Sequence, residues 1–295
     1  MRTLKVFVLA FLLATAALAY SSDIPIDDTR LTIHTLVRED VFAGFLENDL
    51  ERLSRGEKNI DALLAKRPNA KAELLAWKAG ATLYRSTLAL EKNQRAEFEQ
   101  KYKQALALFD EAKQLGPQNG GVNAVTGGSL GLFADRLPKE LRAAAWERAY
   151  NAYQVLWKQQ GAGIDKFPVH FRGEVLGGMA QSAMRTGRTQ EANEFLDKML
   201  VMLAGTPYEP TAKRWKADPK TVEKSSLLHE LSRTGTIGSN GYEAESAEVE
   251  RGRDLSERET EGRSKHTFFS LISPSPSRSL HPFTTLAFVI KSGQS

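Results

Sequence analysis

Three stretches of this 295-residue chain carry residue types that could do chemistry. Gly127-Gly128-Ser129-Leu130-Gly131 satisfies G-x-S-x-G, the nucleophile elbow of α/β-hydrolases, where a strand feeds a tight turn and a helix follows so that the serine stands exposed over a sheet. No parallel-sheet pattern surrounds it, so the match reads as a product of glycine-rich composition. His170 and Glu174 lie four residues apart and would share a helix face, as two metal ligands do. A metal needs three or four ligands and no second pair appears, so the two read as a surface hydrogen bond near a helix start. The third stretch is hidden. "LLHELSRTGTI", residues 227 to 237, can be written in codons that, read one base later, spell C-x-x-C-H, the attachment signature of c-type haem.

The chain as written contains no cysteine. That excludes thiolate chemistry, cysteine-ligated zinc and covalent haem, and it leaves any exported form to be held together by its hydrophobic core. The glycine segment also lacks the G-K-[ST] ending that brings a lysine and a hydroxyl to a phosphate. No cofactor and no metal are therefore expected. A formal net charge of +4, with both signs interspersed, offers no single-sign field, so nucleic acid is not an expected partner.

The elements that must position these residues are helices. From about Leu31 to Lys216 apolar residues recur three and four apart in a background of Ala, Leu, Glu, Lys, Gln and Arg. The pattern predicts helices near 41–54, 57–66, 70–92, 95–115, 138–159, 168–186 and 189–203, broken at glycines and prolines such as Gly56, Pro68, Gly116-Pro117 and Gly187. The segment between Gly116 and Pro138 reads as a loop around a short helix at 122–133. Trp146, Tyr150, Tyr153 and Trp157 form an aromatic stripe at helical spacing, which is expected to be core.

Flanking segments differ in kind. "MRTLKVFVLAFLLATAALAY" has the positive, apolar and small-residue order of a secretory signal over 1–19, with cleavage expected after Ala19. Its apolar stretch is short of the roughly 20 residues that cross a bilayer, so no stable membrane span is expected after cleavage and the location is periplasmic or secreted. Residues 20–40 read as an extended arm and 41–217 as the helical domain. From 218 to 295 the chain reads as a disordered or out-of-frame tail: "GYEAESAEVERGRDLSERETEGRSKH" is almost free of large apolar residues and "SPSPSRSLHPFTT" is rich in serine and proline.

Helices joined by such short connections must lie antiparallel, and "YKQALALFDEAKQLGPQN" explains how. Ala105 and Ala112 remove bulk where a partner helix crosses, Phe109 fills the gap, and Pro117 stops the helix. These spaced residues resemble the late positions of a tetratricopeptide repeat, a 34-residue helix hairpin. "AWKAGATLYRSTL" resembles its first helix, with Trp77 to Gly80 and Leu83, although the interval from Gly80 to Ala105 is about twice what the repeat allows. "AQSAMRTGRTQEANEFLDKML" is similar to its middle, with Gly187 at the turn and Ala192 beyond, and "GEKNIDALLAKRPNA" is a weaker third unit. The resemblance implies an all-α, tetratricopeptide-like solenoid or helical bundle. It further implies a concave groove of Trp77, Tyr84, Arg85, Gln181, Met184 and Arg185 that takes a protein or peptide.

Three functional readings follow. The first is a non-enzymatic exported scaffold that binds a protein or peptide. The second is a degraded or frameshifted relative of bacterial exported repeat proteins that end in C-x-x-C-H and transfer electrons. The third is a serine hydrolase using Ser129.

Overall fold

The computed structural model describes residues 26–28 and 31–223. Nine α-helices follow one another there: α1 (Ile33–Glu47), α2 (Leu50–Lys66), α3 (Lys71–Glu91), α4 (Arg95–Leu115), α5 (Gly120–Phe133), α6 (Lys139–Gln160), α7 (Val169–Arg185), α8 (Thr189–Met202) and α9 (Glu209–Ala217). No strand occurs among the described residues. The chain is thus all-α, built from helices packed in adjacent pairs, as the hydrophobic period requires. The expected signal segment, most of the arm before Leu31, the tail from Lys224 and the stretch 227–237 lie outside the described residues. The first residues of the stretch read as tail from 218 are ordered: Pro219–Glu223 form a 3-10 helix whose Val222 is buried.

Two further boundaries differ from the sequence reading. The arm expected to run to residue 40 is helical from Ile33 onward. Thr32 caps it, its Oγ1 accepting from the Thr35 N–H at 3.1 Å, and Ile33, Leu36, Val37 and Val41 are buried along one side. Interleaved Thr, His, Arg, Glu and Asp obscure that period. The second difference is Gly56, which stands inside α2 rather than ending a helix. The break comes earlier, at Asn48-Asp49, where Asn48 takes the left-handed conformation (φ 57°) and Asp49 Oδ1 accepts from the N–H groups of Glu51 and Arg52. Gly56 instead lets α1 cross closely, since a Cβ there would meet Val41 Cγ2 at 3.1 Å.

The seam between α3 and α4 is the most extensive helix pairing in the chain. Ala105 and Ala112 are fully buried and Phe109 is 2% exposed, so the small-residue spacing has the meaning assigned to it. Asp40 holds α1 to α2 by accepting from Arg55 at 2.6 and 2.7 Å and from Arg52 at 3.2 Å. Gly187 supplies the left-handed turn (φ 79°) between α7 and α8. The short helix α9 follows, its Trp215 fully buried.

Two cores result. One centres on Phe45, Tyr84 and Phe133, whose rings lie 4.9 to 5.3 Å apart. The other gathers Met179, Leu196, Met199 and Trp215. Phe42, Leu46 and Leu132 touch both. The junction is where the fold leaves space.

Candidate functional site

At that junction α1, α3, α5, α6 and α7 line a partly open cavity of about 880 Å³. The volume lies within the range of small-molecule sites. Its origin is α5. This helix begins at Gly120, with Asn119 Oδ1 accepting from the Val122 N–H at 3.0 Å, and it is surrounded by α3, α4, α6 and α7. Gly121, Ala124, Val125, Gly128 and Leu132 recur at helical spacing along one side and line the cavity. Side chains this small leave a trough where an ordinary core helix would fill the space.

Gly127 of α5 does a different job. A Cβ at Gly127 would come within 2.9 Å of the Tyr153 ring, and one at Gly178 on α7 within 2.2 Å. The phenol of Tyr153 is therefore clasped between two helices, and burial together with the Glu174 charge pushes it well above the usual tyrosine range. Trp146 lies against Gly131 at ordinary contact distance. The aromatic stripe of α6 is buried as expected, but Trp146 and Tyr153 are also cavity wall.

Helix α1 contributes His34, Arg38, Phe42 and Phe45. Arg38 is 6% exposed, lies 4.8 Å over the Phe42 ring, and pairs with Glu174 of α7 at 3.5 Å. Phe42 meets Trp77 edge-on at 5.9 Å, and the His34 ring is 6.0 Å from the same indole. His34 is exposed on one side and lines the cavity with the other. Surrounding protein, with Arg38 and His170 adding to the effect, pushes its imidazole down to about 3, so the ring is neutral across the physiological range.

A second polar group lies across the wall. The Glu73 carboxylate sits over Gly121, its Oε2 3.0 Å from where a Cβ would stand. Burial pushes it above the usual carboxylate range, and the Trp77 indole N–H, near but not in a well-formed hydrogen bond, pulls it partly back. Next to it, Gln160 packs over Gly120, and its Oε1 is buried with no hydrogen-bond partner.

Of the six residues assigned to a groove, Trp77 and Gln181 meet in this cavity and the other four do not line it. Tyr84 is 2% exposed and donates to Asn48 Oδ1 at 2.8 Å. Arg85 is bound to Glu57 and Ser54 of α2 at 2.7 and 2.9 Å. Met184 packs against the second core, and Arg185 pairs with Asp135 while covering the Trp146 ring.

The chemistry-bearing stretches are also placed. Ser129 stands mid-helix in α5, with its Oγ 2.5 Å from the position of a Gly80 Cβ. That is a helix-crossing contact, with no strand leading into it. His170 and Glu174 do share a face, but it is cavity wall and not open surface, and Glu174 faces Arg38. No group of three or more potential ligands is placed to hold a metal ion among the described residues.

Sequence reasoning missed His34, Arg38, Phe42, Glu73 and Gln160. His34 and Arg38 lie in the stretch read as an arm, and Phe42 lies in the predicted helix 41–54 without any mark of a cavity. Glu73 occupies the first turn of α3, where a carboxylate balances the helix dipole, so nothing in its position marks it as facing a cavity. Among the described residues, no helix is long and apolar enough to cross a membrane. No protein-family model matches the chain, and no curated protein or solved structure matches it significantly.

Proposed function

We propose that the chain is an exported, tetratricopeptide-like helical protein that binds a small, largely apolar molecule inside its helix stack and carries or presents it without chemical change. The carrying observation is the cavity of about 880 Å³, walled by Phe42, Trp77, Trp146 and Tyr153. Apolar walls with a few placed polar groups are the ordinary construction of a ligand site. Export rests on the signal-like segment 1–19, and the repeat assignment on the residues around Gly80, Ala105 and Gly187. A protein or peptide in an open groove has less support, because Tyr84, Arg85, Met184 and Arg185 are engaged elsewhere in the fold.

The test uses the walls as reporters. Titrating 1-decanol into the full chain should change tryptophan emission saturably, because Trp77 and Trp146 line the space. Gly128→Phe places a ring in the trough and should abolish the change while leaving the helical circular dichroism intact. An emission change that persists in Gly128→Phe, or none in the wild type, overturns the proposal.

A further inference from the structure

Among the described residues, the charges lining the cavity do not balance. The guanidinium of Arg38 is opposed by Glu174 at 3.5 Å, which leaves Glu73 as a second carboxylate. Among the described residues no lysine lines the space and no cation pairs with Glu73. A half-buried carboxylate without a counter-charge is costly in an apolar enclosure unless something donates to it.

Gln160 sharpens the point. Its Oε1 is buried with no donor, and its Nε2 lies 3.0 Å from where a Gly120 Cβ would stand, while Glu73 sits against Gly121. Glu73 of α3 and Gln160 of α6 thus pack against consecutive glycines at the start of α5, one a carboxylate without a counter-charge among the described residues and the other an acceptor without a donor. Trp77, which lines the same wall beside Glu73, offers an aromatic face of the kind that attracts cations.

Building on the small-molecule reading above, we infer that the ligand is an organic cation: an apolar body carrying a protonated amine that donates to Glu73 and Gln160 beside Trp77. An ammonium group supplies N–H donors and the missing positive charge at once. A carboxylate head would meet an unpaired carboxylate and would have to separate Arg38 from Glu174 to find a partner. A neutral alcohol could donate one hydrogen bond but bring no charge.

Three probes with one tail separate these cases: n-decylammonium, 1-decanol and decanoate, titrated calorimetrically into the full chain at neutral pH. The ammonium should bind at least about tenfold tighter than the alcohol, and decanoate should bind weakest. Glu73→Gln, close to isosteric, should bring decylammonium down to the level of the alcohol while changing decanol affinity less than about twofold. Gln160→Leu should reduce the ammonium preference severalfold. If decanol binds and Gly128→Phe blocks it, but the ammonium has no advantage or keeps it in Glu73→Gln, the head-group inference fails and the cavity reading stands. Binding by none of the three overturns both.

Discussion

The α3/α4 seam and the α5 trough both rest on small residues, yet one is solid and the other hollow. Along α4, Ala105 and Ala112 alternate with Phe109, so every removal of bulk is matched by a ring or by the approaching backbone of α3. Along α5, glycine and alanine follow one another on one side, while large side chains come from α1, α3 and α6 and stop short of filling the space. Small residues therefore carry no fixed meaning. What decides the outcome is whether the neighbouring helices close the gap.

If that contrast is right, the two regions respond oppositely to a change in side-chain volume. Phe109→Ala empties a site with no room to collapse and should cost about 3–5 kcal/mol of stability, measured by denaturant unfolding. Gly178→Leu collides with the clasped Tyr153 ring and should cost about 1–3 kcal/mol in the same assay. Gly128→Ala should behave differently, because the nearest atom to its new Cβ is the Tyr153 hydroxyl at an ordinary 3.7 Å. With space available, the gain in helix propensity dominates and stability should rise by about 0.5–1 kcal/mol. A loss at Gly128 as large as that at Gly178 would mean that the trough is closed and the comparison is broken.

The last prediction concerns pH. His34 sits at about 3 in the folded chain against an ordinary 6.5, through the protein gathered around the ring at the cavity and the neighbouring Arg38 and His170. Between those values the unfolded chain binds a proton that the folded chain does not. The neutral imidazole's contribution is therefore complete above about pH 6.5 and falls away as pH drops toward 3. His34→Gln should flatten this part of the stability profile and leave the profile above pH 7 unchanged. A variant with the wild-type slope would place the imidazole in bulk water.

The sequence carries the fold more fully than the site, for a physical reason. Burial of one helical face imposes a local period, so the pairing of α3 with α4, the turn at Gly187 and the stop at Pro117 can be read from neighbouring residues. A cavity is defined by side chains that are absent from the junction of five helices, and absence has no local period. Glu73 looks like any acidic residue in a first turn, and the glycines of α5 look like a short helix set in a loop. Arg38 was obscured because the charged and β-branched residues of α1 dilute its apolar side. The match at Ser129 shows the reverse error, in which a spacing is present but the strand and turn that give it chemistry are missing.

The central claim is that the junction of the two cores receives a ligand. Isothermal calorimetry of 1-decanol against wild-type and Gly128→Phe chains, at several temperatures, addresses it most directly. The account predicts a saturable one-to-one isotherm with a negative heat-capacity change for the wild type, and no isotherm for the variant despite a stability at least equal to the wild type's. Identical isotherms from the two chains, or no saturable heat from either, would contradict it.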